Sequence, residues 1–197
     1  MTSARVPDRL PPMGIGRLIL APSDPLAPAP ARESLLAALR AIGLAGAELD
    51  PARQTFRAGE RFLELISFLG CSPHVDFEPP APDSEAFCHI ALMGPFEEPV
   101  LLHGVNTAPP RCPGCGARLT DWRERVAAAH DALRCERCHR SLTAAELNWR
   151  RSGGFARMAV EVRNVFPSEA VPVPELMQCL RRETGREWTY LYVQPAD

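Results

Sequence analysis

Apolar residues recur with two different periods along this chain, and the changes of period mark out its elements. Over Arg32–Ile42, the residues Leu35, Leu36, Leu39 and Ile42 share one helical face, and Gly43 follows where a left-handed cap closes a helix. The same spacing at Phe62, Leu65, Ile66 and Leu69 predicts a helix over 60–69, stopped by Gly70 and Pro73. A third helix is expected over Pro174–Thr184, with the proline in its first turn and Gly185 at its cap. Elsewhere the period is two. Across 155–166, Ala156, Met158, Val160 and Val162 face one way and Arg157, Glu161 and Arg163 the other. The stretch 86–93 is apolar at nearly every position, as in a strand covered on both faces. Residues 94–99 then turn it into a hairpin with 100–105. The short run 15–20 is expected to pair at a sheet edge, and 21–30, with four prolines, to be an extended linker.

The chain closes with a strand over 187–193, so 155–193 reads as strand, helix, strand, a unit whose two strands belong in one sheet. These elements predict an α+β fold: a small mixed sheet with flanking helices and an insertion. The expected divisions are a flexible tail and linker over 1–30 and a core built from 31–107 together with 153–197. The inserted unit occupies 108–152, with Gly153 and Gly154 as a hinge out of it.

That insertion carries the most specific chemistry. Cys112-Pro-Gly-Cys115 and Cys135-Glu-Arg-Cys138 are two CxxC pairs separated by nineteen residues, inside the range read as a four-sulfur metal site. Pro113 pre-sets a turn, while Gly114 and Gly116 accept backbone conformations closed to other residues. Arg134, Arg137 and Arg140 surround the second pair and favour thiolate. Over about 108–150 the stretch resembles the zinc-ribbon family, and the resemblance implies two knuckles on short β-hairpins. Four cysteines fill a tetrahedral sphere and leave no position for an activated water, so the expected cofactor is one structural zinc ion per chain. Rubredoxin-like iron uses the same ligands and is the alternative. Cys135-x-x-Cys138-His139 also matches a c-type haem attachment pattern, but the first thirty residues do not read as an export signal. A short helix near 143–149 is expected to end the ribbon, with Thr143 and Glu146 at capping-box spacing. A second site from Cys71, His74, Cys88, His89 and His103 lacks a complete set of spacings.

Charge narrows the reading. All 22 basic residues are arginine, so a P-loop lysine, a Schiff base and a lysine general base are excluded. Neither GxGxxG nor GxSxG is present, and no catalytic residue is expected. Residues 1–104 carry 8 Arg against 13 acids, 111–163 carry 11 against 6, and 164–197 carry 3 against 5, so positive charge coincides with the ribbon. Trp122, Arg123, Arg134, Arg137, Arg140, Trp149, Arg150 and Arg151 are the candidate partner-binding residues, although the two tryptophans also suit the ribbon's small core. The expected partner is another protein, since a net charge of −2 and a pI near 6.2 are unlike most nucleic-acid domains. Nucleic acid is the alternative, with Trp188, Tyr190 and Tyr192 as a stacking platform unless they pack beneath a helix. No run reaches membrane-spanning length, and thiols in metal spacing without a leader point to the reducing cytoplasm.

Overall fold

A computed structural model describes residues 16–69, 75–81, 84–128, 132–166 and 168–195. In order, the elements are β1 (Gly16–Pro22), α1 (Arg32–Ile42), β2 (Ala45–Asp50), β3 (Thr55–Ala58), α2 (Phe62–Leu65), β4 (Ile66–Phe68), β5 (His89–Met93) and β6 (Val100–Leu102). Then come α3 (Trp122–Ala128), β7 (Leu133–Arg134), β8 (Ser141–Leu142), β9 (Gly154–Ala156), β10 (Ala159–Val165), β11 (Ala170–Pro172), α4 (Pro174–Thr184) and β12 (Trp188–Val193).

Six strands form one sheet in the order β12-β1-β10-β5-β3-β2, every neighbouring pair antiparallel. The fold is α+β, as the pattern predicts, but the sheet is antiparallel throughout rather than mixed. Helices α1 and α4 cover one face: Leu35, Leu39, Leu176 and Leu180 bury against Leu18, Leu20, Phe56, Ile90, Val160 and Val162. Both helices have the expected bounds and end on left-handed glycines, Gly43 at φ +84° and Gly185 at φ +65°. Strands β10 and β12 do belong to one sheet, running parallel with β1 between them. On the opposite face, Ile19, Ala21, Ala159, Leu191 and Val193 are buried with Leu102 and Ala156, contributed by the two-stranded sheet β6–β9.

Several expectations are corrected. β1 is not an edge strand: it pairs with β10 and β12, because Leu18 and Leu20 serve one face while Ile19 and Ala21 serve the other. The helix expected over 60–69 stops after one turn. Ile66–Phe68 instead pairs with Ala170–Pro172, and Leu69, the last residue of the helical stripe, is 72% exposed. β5 and β6 form no hairpin; β5 pairs with β3 and β10, and β6 with β9. The strand expected over 155–166 is broken at Arg157 and Met158, where the Arg157 carbonyl accepts the Phe96 N–H at 2.7 Å and leaves no room for a Cβ on Gly94. Glu161 does not face water. It is 1% exposed, with Arg17 Nη1 at 3.1 Å and Arg163 Nε at 2.7 Å supplying the charge that a buried carboxylate requires. Gly153 is packed tightly rather than left free to hinge: a Cβ there would lie 3.1 Å from Trp149 and 3.2 Å from the Leu102 carbonyl.

Candidate metal centre

The two CxxC segments fold into matching knuckles through matching backbone bonds. In the first, the Cys112 N–H donates to Ala117 O at 2.9 Å and the Gly116 N–H to Cys112 O at 2.9 Å. In the second, the Cys135 N–H donates to Arg140 O at 2.9 Å and the His139 N–H to Cys135 O at 2.8 Å. Each chain reversal puts the residue after the second cysteine in the left-handed region, Gly116 at φ +72° and His139 at φ +58°. Glycine enters that region without penalty, whereas a residue with a Cβ does so at a cost of about 1–2 kcal/mol. Nothing lies within 4 Å of a Cβ built on Gly116, so the cost of Gly116→Ala is conformational. Gly116→Ala is expected to lower the unfolding free energy and His139→Gly to raise it, each by about 1 kcal/mol in chemical unfolding of the metal-loaded protein.

The knuckles converge. The Cys112 and Cys138 Sγ atoms are 3.7 Å apart, those of Cys115 and Cys135 are 3.6 Å apart, and all four lie within 4.8 Å of one another. A tetrahedral ion with metal–sulfur bonds near 2.3 Å separates its sulfurs by about 3.8 Å, so the cage has the size such an ion needs. Cys112 and Cys135 are buried, Cys115 is half-buried and Cys138 is exposed.

The electrostatics also suit a cation. Backbone N–H groups of Cys138 and Arg137 hold the Cys135 thiol down at about 6, with the Cys115 and Cys138 side chains adding to the effect against the opposing pull of burial. At Cys115 the Ala117 N–H lowers the pKa, but burial and the three neighbouring sulfurs outweigh it and push the thiol up to about 11. One thiolate thus hinders the next, and a divalent ion at the centre removes that repulsion.

A small apolar core supports the cage: Trp122, Leu133, Leu142, Leu147 and Trp149 bury with Cys112 and Cys135. Trp122 and Trp149 meet edge-to-face at 5.2 Å. Both are therefore interior residues, not members of a docking surface; the two indoles are the bulk of this small core. Leu101 on β6 and Phe155 on β9 pack against the same cluster and join it to the main sheet. Strand pairs β7–β8 and Arg111 with Arg118 form the hairpins, and Arg111 also bridges Asn148. Helix α3 was not expected. Its Arg125 reaches Glu136 at 2.9 Å, Asp121 at 3.8 Å and the Arg134 carbonyl at 2.6 Å, fastening the helix to the second knuckle. The spacing of Asp121 and Arg125 was the available signal. The closing helix is a 3-10 turn, Ala144–Glu146, with the expected capping box: the Glu146 carboxylate accepts the Thr143 N–H at 2.6 Å.

The other candidate arginines lie on the outside. Arg123 stacks on the Trp122 ring at 4.4 Å and Arg151 on Tyr190 at 4.2 Å. Among the described residues, Arg118, Arg123, Arg134, Arg137, Arg140, Arg150 and Arg151 make no ion pair with a carboxylate, while Arg125 does; outside this segment Arg17, Arg53, Arg57, Arg61, Arg157, Arg163, Arg181 and Arg182 are paired and Arg32, Arg40 and Arg186 are not. The aromatic platform on β12 is absent. Trp188 and Tyr192 are buried beneath the helices, with Trp188 Nε1 donating to Thr184 Oγ1 at 2.8 Å and the Tyr192 hydroxyl to Ala170 O at 2.7 Å.

The four cysteines are the only cluster of three or more metal-ligating side chains among the described residues. Cys71 and His74 lie outside those residues. Cys88 belongs to the helix-side core, where burial pushes its thiol up to about 12, while His89, its neighbour on the chain, faces the other side of the sheet; the two cannot share an ion. His103 packs against Trp122. His89 is 1% exposed and its Nδ1–H donates to Phe87 O at 2.8 Å. Burial lowers its pKa, with Arg163 adding to the effect and the Phe87 carbonyl, Glu85 and Glu161 opposing it. Since the unfolded chain then binds the proton more readily, stability is complete above the unfolded value near 6.5 and falls as pH drops below it. His89→Gln is expected to flatten this part of a melting-temperature profile against pH.

Compared with known protein families, curated proteins and solved structures, the chain matches none. Among the described residues no helix is long and apolar enough to cross a membrane.

Proposed function

We propose that this chain is a non-enzymatic interaction protein, an adaptor, assembly factor or regulator, in which a structural zinc ion on Cys112, Cys115, Cys135 and Cys138 folds a ribbon that docks on an acidic protein surface. The observation that carries the reading is the convergence of the four sulfurs within 4.8 Å, with exterior arginines around them that have no carboxylate partner among the described residues. A sphere filled by four thiolates supplies rigidity rather than reactivity. Arg134, Arg137 and Arg140 flank the second knuckle and are exposed, available to a partner's carboxylates. Thiolate ligands of this kind persist in a reducing compartment, which supports a cytoplasmic location.

Elemental analysis of the purified protein tests the first half: one zinc per chain and no visible colour are expected, and thiolate-to-iron absorption would replace zinc with iron. Affinity capture with wild type and with Arg137→Glu plus Arg140→Glu tests the second, because these changes leave the ligands in place. Equal recovery of the same partner would put the docking surface elsewhere. Unpaired arginines also suit phosphates, which makes nucleic acid the second reading. Retention on DNA or RNA that collapses between about 50 and about 200 mM salt would favour it over a protein partner.

A further inference from the structure

We propose that the open edge of β12, beside the turn at Arg150 and Arg151, takes an extended acidic peptide as an additional strand. This rests on the reading of the chain as an interaction protein and names a second docking site and its mode. β12 is the last strand of the six-stranded sheet and, among the described residues, pairs only with β1. Along an antiparallel edge, alternate residues aim their backbone groups away from the partner strand. Tyr192 is one of these, since its N–H donates outward to Arg151 O at 2.9 Å and its carbonyl accepts from Asn106 Nδ2 at 3.0 Å. Gln194 is likewise covered, donating to Asn106 Oδ1 at 2.8 Å and accepting the Val105 N–H at 2.9 Å. By the same alternation Trp188 and Tyr190 point outward, and their backbone groups have no partner among the described residues. Pro22, opposite Trp188, fits this register. The edge is thus closed at one end and open at the other, and an open edge is a template for another strand.

The surroundings specify the occupant. A groove of about 490 Å³ runs beside this part of β12, lined by Pro22, Pro25, Trp149, Arg150, Arg151 and Tyr190 among others, with no acidic residue in its wall. The Ser152 N–H closes on Trp149 O at 3.0 Å, with Arg150 at φ +51° and Arg151 at φ +61°. Positive φ at both central positions is the pattern of a type I′ turn, which ordinarily takes Asn and Gly. Two arginines hold it here, and such disfavoured conformations gather at binding sites. Arg151 is fixed over the Tyr190 ring and donates to its hydroxyl at 2.6 Å, so a cation stands beside the open backbone. A peptide strand would meet the amides and carbonyls of Trp188 and Tyr190 while its carboxylates reach the two guanidinium groups.

The test is an NMR titration of the zinc-loaded full chain with a capped peptide of about six residues that alternates valine and glutamate. Amide shifts centred on Trp188 and Tyr190 are expected, with binding at least about tenfold weaker after Arg150→Glu plus Arg151→Glu, after backbone N-methylation of the peptide, or with lysine in place of glutamate. Arg150→Gly plus Arg151→Gly, which the turn accepts, must weaken binding without lowering the melting temperature. No shift at Trp188 and Tyr190, or shifts indifferent to both charge reversal and N-methylation, overturns the site. Shifts confined to Arg134, Arg137 and Arg140 also overturn it but leave ribbon docking standing. Edge binding in a protein whose partner capture ignores Arg137→Glu plus Arg140→Glu removes the ribbon reading and leaves this one.

Discussion

Removal of the ion by a strong chelator, or Cys135→Ser, is expected to unfold residues from about 111 to 149 while the six-stranded sheet stays intact. The core around the cage is one cluster about Trp122 and Trp149, and its strand pairing amounts to two residue pairs in β7–β8 and single bridges from Arg111 to Arg118 and Asn148. Such a unit buries too little to offset the entropy of ordering its chain. A four-thiolate zinc site supplies about 10–16 kcal/mol in small peptides near neutral pH, enough to decide whether this segment folds. The main core contains no residue from the ribbon, so nothing in it is lost with the ion. Heteronuclear NMR checks the result: amides of Cys112 to Trp149 collapse toward random-coil positions, while Leu18, Val160 and Ile90 keep theirs. A ribbon that stays ordered after complete metal loss would refute the structural role.

The second large effect is expected for Trp122→Ala, at about 3–5 kcal/mol in denaturant unfolding of the metal-loaded protein. Trp122 is 2% exposed and meets two rings, His103 at 5.8 Å and Trp149 at 5.2 Å, and Trp149 in turn meets Phe155 at 6.0 Å. Those contacts run from α3 through the cage's support to β9, so the truncation removes the packing that ties the ribbon to the sheet. Metal content should match that of the wild type, because none of the knuckle hydrogen bonds involves Trp122. Loss of near-ultraviolet tryptophan signal with the metal retained is the diagnostic pair. Simultaneous loss of the metal would mean that the cage depends on the aromatic cluster.

Elements whose pattern is local were legible in the sequence. The stripe of Leu35, Leu39 and Ile42 with Gly43, and the proline and glycine around 174–185, mark α1 and α4 to the residue, because a helix satisfies its backbone within itself. The stripe at Phe62, Leu65 and Ile66 misled for a related reason. Its residues are buried as the helical period implies, yet Leu69 meets no core, and the backbone after Leu65 finds partners in β11, more than a hundred residues away. The aromatic period of β12 was equally clear in the sequence, but period two does not say which face is covered. Only α4 packed over it turned Trp188 and Tyr192 inward.

By itself the sequence determined the two knuckles and the charge around them: the CxxC spacings, the turn residues beside them and the concentration of arginine follow from covalent order, since a knuckle closes within five residues. Tertiary structure decided what the rest of the chain presents to that cage and to solvent. It placed β1 between two strands, buried Glu161 beneath Arg17 and Arg163, took Trp122 and Trp149 out of the surface, and set β12 at the end of the sheet, with Arg150 and Arg151 beside it and no second partner strand among the described residues. Strand order and burial depend on pairings between residues far apart in the chain, and a repeat of two is silent about which neighbour a strand will find.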